Sequence, residues 1–158
     1  MSAGENACAV VNKLIAREMH IAFAESCTGG LAASALVSVP NASRVLEESY
    51  VTDSERAKCA ILEVPEQLID SFGVVSEPVA AAMASGVARR AGAEVGVGIT
   101  GIAGPSGGTE ETPVGTVCFG FSVDGAVCTW TCHFENAERD AVREMSVDFV
   151  FNALNALL

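Results

Sequence analysis

The sequence predicts a three-layer α/β/α sandwich on a mixed sheet. Three observations predict it. Short apolar runs alternate with longer stretches of helical periodicity, the pattern of β–α crossovers packed on a sheet. Two strand-like runs flank Asp124-Gly125, the strongest hairpin signal in the chain, so the sheet contains antiparallel pairing as well. Two glycine-rich loops, Glu25-Ser26-Cys27-Thr28-Gly29-Gly30 and Thr100-Gly101-Ile102-Ala103-Gly104-Pro105-Ser106-Gly107-Gly108-Thr109, each close a predicted strand.

The elements follow in order. Asn6 to Met19 carries Val10, Val11, Leu14 and Ile15 at helical spacing. His20 to Ala24 is a short apolar run and reads as a buried strand. Gly29 to Val37, rich in Ala and Leu, favours a helix that ends before Pro40. Val45 to Thr52 includes Val45, Tyr50, Val51 and Thr52, which prefer extended backbone. Ser54 is placed to cap a helix through Leu62. Pro65 opens a short helix to Ile69, with proline at its first position. Ser76 caps the next, where Val79, Met83 and Val87 form an apolar stripe. In Glu94 to Thr100, Val95, Val97 and Ile99 alternate with glycine, as in a strand. Thr109 to Pro113 is a loop. Gly115–Val123 and Ala126–Phe134 form the hairpin, and Glu138 to Leu157 is a long helix with Val142, Met145, Phe149, Leu154 and Leu157 inward.

Composition bounds the function. The 158 residues are expected to form a single domain over 1–158, and 50% hydrophobic content supports a sizeable core. No apolar run reaches the roughly 20 residues needed to span a bilayer. The first twelve residues lack the layout of a signal peptide, so a cytoplasmic address and no membrane partner are expected. A net charge of −11 disfavours nucleic acid as a partner, because duplex affinity rests on many Lys and Arg contacts. A small anionic ligand needs only two or three local cations, and nine Lys plus Arg suffice for that. Cysteines 8, 27, 59, 118, 128 and 132 show no CxxC pair and no zinc-ligand spacing, so no metal is expected. Cys128 and Cys132 should share one face of a strand, as reduced core residues or as a disulfide or metal pair.

The first loop would sit at the carboxyl end of strand one, where open α/β sheets bind ligands. There Ser26 reads either as a nucleophile, with the backbone N–H groups of Thr28 to Gly30 as anion donors, or as a helix cap. A serine nucleophile needs a base. His20 begins strand one, at the far end from Ser26, and no local motif ties His133 to it. Lys58 remains, as the base of a Ser–Lys pair or as a solvated helix residue. Arg139 and Arg143 share a helix face and can clamp a phosphate or pair with neighbouring acids. The second loop matches neither a P-loop nor the full GxGxxG fingerprint; its glycines and the hydroxyls of Thr100 and Thr109 indicate backbone close to a ligand.

Taken together, the motifs resemble the CinA C-terminal domain family. The resemblance is carried by Ala24-Glu25-Ser26-Cys27-Thr28-Gly29-Gly30-Leu31, then Gly73-Val74-Val75-Ser76-Glu77 and Thr100-Gly101-Ile102-Ala103-Gly104-Pro105 with Gly107-Gly108-Thr109. Pro113-Val114-Gly115-Thr116-Val117 and the arginines Arg139 and Arg143 complete it, in order, over essentially the whole chain. It implies a stand-alone nicotinamide-nucleotide amidohydrolase, converting nicotinamide mononucleotide and water to nicotinic acid mononucleotide and ammonia, with no cofactor. Family members also carry a competence/damage-inducible label. Ser26 matches the family's nucleophile and Lys58 its catalytic lysine. By the same resemblance Thr100, Gly101, Gly104 and Thr109 fall in the loop lining the mononucleotide site and Arg143 in a basic site near it; Thr28, Gly29, Gly30, Gly107, Gly108 and Arg139 are expected to bind substrate with them. Apolar helix faces beyond one core's needs, together with the family's habit, suggest a homodimer.

One segment departs from the family pattern. The family reads Gly-Gly-x-x-x-Tyr-Ser-Asn ahead of the lysine, and here the run is Glu48-Ser49-Tyr50-Val51-Thr52-Asp53-Ser54-Glu55-Arg56-Ala57-Lys58. Asp53 thus stands at the position of the tyrosine, a proposed catalytic partner. Tyr50 lies three residues upstream and would face the other way along a strand unless a bulge intervenes. A carboxylate beside Lys58 favours the charged amine, which is no base. The alternative to the amidohydrolase is therefore a catalytically impaired or inactive paralogue that binds nucleotide or regulates.

Overall fold

The structure, a computed structural model, describes residues 2–158. Five strands lie in one sheet, in spatial order β2-β1-β3-β4-β5. They are β1 (Ile21–Glu25), β2 (Leu46–Val51), β3 (Val95–Gly101), β4 (Thr116–Val123) and β5 (Ala126–His133). β1 pairs in parallel with β2 and β3, and β3–β4 and β4–β5 are antiparallel. The helices are α1 (Ala3–Ala16), α2 (Leu31–Val37), α3 (Glu55–Leu62), α4 (Glu66–Phe72), α5 (Glu77–Ala91) and α6 (Arg139–Leu157), with a short 3-10 turn at Ala42–Arg44. This is the mixed three-layer α/β/α sandwich that the sequence predicts.

The alternation of side chains along the central strands divides the core in two. Ile21 and Phe23 of β1, with Val95, Val97 and Ile99 of β3, join α1, α2 and α6 on one face. Ala22 and Ala24 point the other way, toward α3, α4 and α5. Only small residues stand there because α5 lies almost on the sheet. A Cβ added at Gly98 would come within 2.4 Å of the Ala80 carbonyl oxygen, and one at Gly120 within 2.3 Å of the same atom. The glycines that alternate with valine in β3 are thus the groove that receives the alanine face of α5.

Local signals account for the element ends. Ser54 and Ser76 accept hydrogen bonds from the Ala57 and Val79 amides and cap α3 and α5. Pro65 precedes α4 as its cap residue, one position earlier than expected, and the helix runs on to Phe72. Asp124 and Gly125 both take positive φ, 49° and 84°, as the tight turn joining β4 to β5 requires. Glu77 accepts hydrogen bonds from the Thr129 and Thr131 hydroxyls, both at 2.6 Å, and so ties the start of α5 to the edge strand β5. In α6 the buried positions are Val142, Ser146, Val147, Val150, Phe151 and Leu154; Met145 and Phe149 are only half-buried, with Phe149 stacked on Phe119 at 4.5 Å. No helix among the described residues is long and apolar enough to cross a membrane.

The topology places the two glycine-rich loops side by side. The chain leaves β1 through α2 to reach β2 on one side, then returns through α3, α4 and α5 to β3 on the other. The crevice opens where those connections part, at the carboxyl ends of β1 and β3.

Candidate active site

Ser26 follows β1 and is half-buried. Its Oγ lies 3.3 Å from Lys58 Nζ and 3.5 Å from Asp53 Oδ1. Lys58 reaches it from the second turn of α3, and the residue is 1% exposed. Two backbone carbonyls flank the amine: Nζ donates to Thr52 O at 2.7 Å and to Asp53 O at 3.3 Å. Burial pushes the Lys58 amine below its usual value, and the nearby Asp53 carboxylate pulls it partly back up. A neutral amine has two N–H groups and one lone pair. The ammonium form donates to Ser26 Oγ; a neutral amine with both N–H groups on the two carbonyls would turn its lone pair to that hydroxyl instead.

Cys27, next to the serine, packs inward against Gly101, where an added Cβ would lie 3.1 Å from its Sγ. Burial pushes the Cys27 thiol up to about 11, so it is protonated at neutral pH and a poor nucleophile. The six cysteines are free; Cys128 and Cys132 are half-buried against the α6 side of the core.

Ser26, Lys58 and Asp53 open into a cavity of about 270 Å³, also lined by Thr100, Gly101, Gly104, Gly107 and Arg139. Cys27, Val74, Val75, Ile102, Ala103 and Ser106 complete its wall. Thr100 is buried and donates its hydroxyl to Val74 O at 3.0 Å, joining the end of β3 to the segment between α4 and α5. Arg139 donates to Gly104 O at 2.6 Å and keeps its remaining N–H groups.

Other residues expected at the site stand elsewhere. Arg143 bonds the Cys27 carbonyl at 2.9 Å and the Thr28 carbonyl at 3.4 Å, holding the first loop from behind. Thr109 is exposed and closes a turn with Thr112. Gly108 is packed against Val114, where a Cβ would lie 2.6 Å from the backbone nitrogen. His20 and His133, which the sequence does not assign to the site, are not among the cavity residues; His20 sits at the amino end of β1, and His133 pairs with Thr116 at 3.3 Å.

Thr28, Gly29 and Gly30 differ most from expectation. Glu25, fully buried, places its carboxylate at the start of α2. It accepts from Thr28 Oγ1 at 2.6 Å, from the Gly30 and Ala32 amides at 3.2 and 3.0 Å, and from the Ala33 amide at 3.0 Å. The Gly29 amide bonds Ser26 O at 3.1 Å. The positive end of α2 is therefore already occupied by an internal anion. The signal is an acid that ends β1, three residues before a threonine and within reach of the helix that follows the loop.

Tyr50 does not substitute for the missing phenol. The β1–β2 register does shift, but between Ile21 and Ala22, upstream of Tyr50. The Tyr50 ring packs into the α5 side of the core, its hydroxyl bonded to Glu48 and to Arg90 Nε at 2.9 Å, with the guanidinium 5.1 Å from the ring centre.

A family model described as the CinA C-terminal domain matches residues 5–158. The chain belongs to the CinA family. A putative competence-damage inducible protein of Symbiobacterium thermophilum is 47% identical over 143 residues, 85% of this chain and 34% of that protein. A CinA-like protein of Anaeromyxobacter dehalogenans is 48% identical over 149 residues, 94% of this chain and 35% of its own length. The chain thus spans about a third of the curated relatives it matches. Among solved CinA structures, the superfamily protein of Escherichia coli superposes with a TM-score of 0.95 at 38% identity, covering 99% of this chain and 91% of that one. The competence/damage inducible protein CihA of Agrobacterium tumefaciens gives 0.95 at 34% identity, covering 99% of each.

Proposed function

We propose that the chain is an amidohydrolase that uses Ser26 as nucleophile and Lys58 as base, acting on the carboxamide of nicotinamide mononucleotide. The observation that carries this reading is the 3.3 Å approach of the buried Lys58 amine to Ser26 Oγ inside a cavity. An amide is a poor electrophile, and a desolvated amine beside a serine hydroxyl supplies the activation it needs. Ser26 Oγ attacks the carbonyl carbon and its proton passes to Lys58 Nζ. The resulting ammonium returns that proton to the nitrogen as the C–N bond breaks, and ammonia leaves. Water then attacks the acyl-serine with Lys58 again as base, releasing the carboxylic acid and restoring Ser26. Arg139, at the cavity wall with N–H groups free, is placed to meet the nucleotide phosphate. No cofactor enters this scheme, and a homodimer in the cytoplasm is the setting we assign to it.

A second reading is favoured by one observation, the Asp53 carboxylate beside Lys58, which stabilises the charged amine. In that reading the protein binds the nucleotide without turning it over. Ammonia release from nicotinamide mononucleotide decides between them. The hydrolase reading expects turnover that Ser26→Ala abolishes. Binding of the nucleotide with no ammonia from the unmodified protein supports the second reading, and turnover that survives Ser26→Ala overturns the assigned nucleophile.

A further inference from the structure

We propose that Asp53 is a specificity residue that accepts the N–H of a primary carboxamide, so that the site discriminates an amide from the corresponding carboxylate. The proposal builds on the reading that a carboxamide lies over Ser26.

Asp53 is the one carboxylate among the cavity-lining residues. Among the described residues it forms no direct ion pair; the Lys58 amine feels its charge but spends its hydrogen bonds on the Thr52 and Asp53 carbonyls. Its side-chain contact with Ser26 Oγ, at 3.5 Å, is well beyond the about 2.7–2.8 Å of a good O–H···O bond, which leaves its lone pairs available to a ligand. The residue itself is anchored. Its carbonyl accepts from Lys58 Nζ at 3.3 Å, and the next residue, Ser54, is the cap of α3.

The distances make the carboxylate a sorting device. A carbonyl carbon poised for attack lies about 3–3.5 Å from the nucleophilic oxygen, and its oxygen and nitrogen project only about 1.2–1.3 Å further. With the carboxamide plane turned toward the Asp53 side of Ser26, one of those two atoms would fall beside Asp53. The carbonyl oxygen has no hydrogen to give and is repelled. The NH₂ group has two, so it turns toward Asp53 and the oxygen turns away. A carboxylate has neither a donor nor a favourable charge. It is disfavoured in both orientations, which also expels the acid formed by hydrolysis.

The test reads binding rather than turnover. Calorimetric titration of the Ser26→Ala protein with nicotinamide mononucleotide and with nicotinic acid mononucleotide should show the carboxamide bound at least about tenfold more tightly. Asp53→Asn in the same background presents an NH₂ as well as an oxygen and should bring the two affinities within about twofold. Asp53→Ser, a smaller neutral side chain, should do the same. Equal affinities before the second substitution, a preference that survives it, or no binding of either ligand would each overturn the proposal. Selective binding of the amide by a protein that releases no ammonia leaves the assignment of Asp53 standing and removes the hydrolase reading alone.

Discussion

Lys58 Nζ stands 3.3 Å from Ser26 Oγ although the lysine is only 1% exposed. A charged amine in that position gives up hydration, and burial is the largest influence on its proton affinity, with Asp53 acting against it. Only the neutral amine can accept the serine proton, so kcat/KM should rise with pH along a limb below the ordinary lysine value of 10.5. Asp53→Asn removes the charge that favours the ammonium and should move that limb to lower pH. A pH–rate profile of the two proteins checks this; a limb that moves to higher pH, or stays in place, contradicts it.

The same burial has a consequence for stability. The folded-state pKa of Lys58 is lowered, so the unfolded chain binds that proton more tightly. The cost of charging is fully present below the folded pKa and fades as pH rises toward 10.5. The wild type should therefore gain stability relative to Lys58→Met between about pH 7 and about pH 10. Urea unfolding of both proteins at the two pH values measures the difference. A gap that is constant, or that closes in favour of Lys58→Met, shows that the amine titrates alike in both states.

The layers were legible because periodicity reports which face of an element is buried. Asp124-Gly125 located the hairpin, and the alternation of valine with glycine in β3 encoded both the core and the groove for α5. The site was only partly legible. Ser26 and Lys58 are 32 residues apart, and nothing in that separation fixes a distance; the lack of a suitable histidine leaves Lys58 as one candidate base, the family resemblance supports it, and the geometry gives the contact. Arg139 and Arg143 share a helix face, yet four residues span about 6 Å of helix, so one reaches the cavity and the other the back of the first loop. Glu25 stands in the first motif without a legible role, because the same acid ahead of a helix can face solvent, ligand or the helix itself.

Glu25→Ala should destabilise the fold strongly. The carboxylate satisfies three amides at the start of α2 and the Thr28 hydroxyl, with no exposure to water. Its removal leaves buried donors unpaired, at a cost on the order of 2–3 kcal/mol. Thermal or urea unfolding gives the value. Because Glu25 adjoins Ser26 and fixes the turn that presents it, any folded fraction should show reduced kcat. A change within about 0.5 kcal/mol would mean that α2 does not depend on this internal anion.

Thr52→Val should have the opposite sign. Thr52 is fully buried at the end of β2, and its hydroxyl finds no hydrogen-bond partner among the described residues. Its backbone is fully engaged: the amide donates to Glu25 O at 2.8 Å and the carbonyl holds Lys58 Nζ at 2.7 Å. Valine keeps the shape and those backbone bonds while removing an oxygen that is dehydrated without compensation, a gain of about 1 kcal/mol. The substitution should therefore raise the unfolding midpoint and leave the contact between Lys58 and Ser26 intact, with the rate on the amide substrate unchanged within about twofold. Lower stability would show that the Thr52 hydroxyl has a partner in solution, and a large loss of rate at unchanged stability would show that it takes part in positioning Lys58.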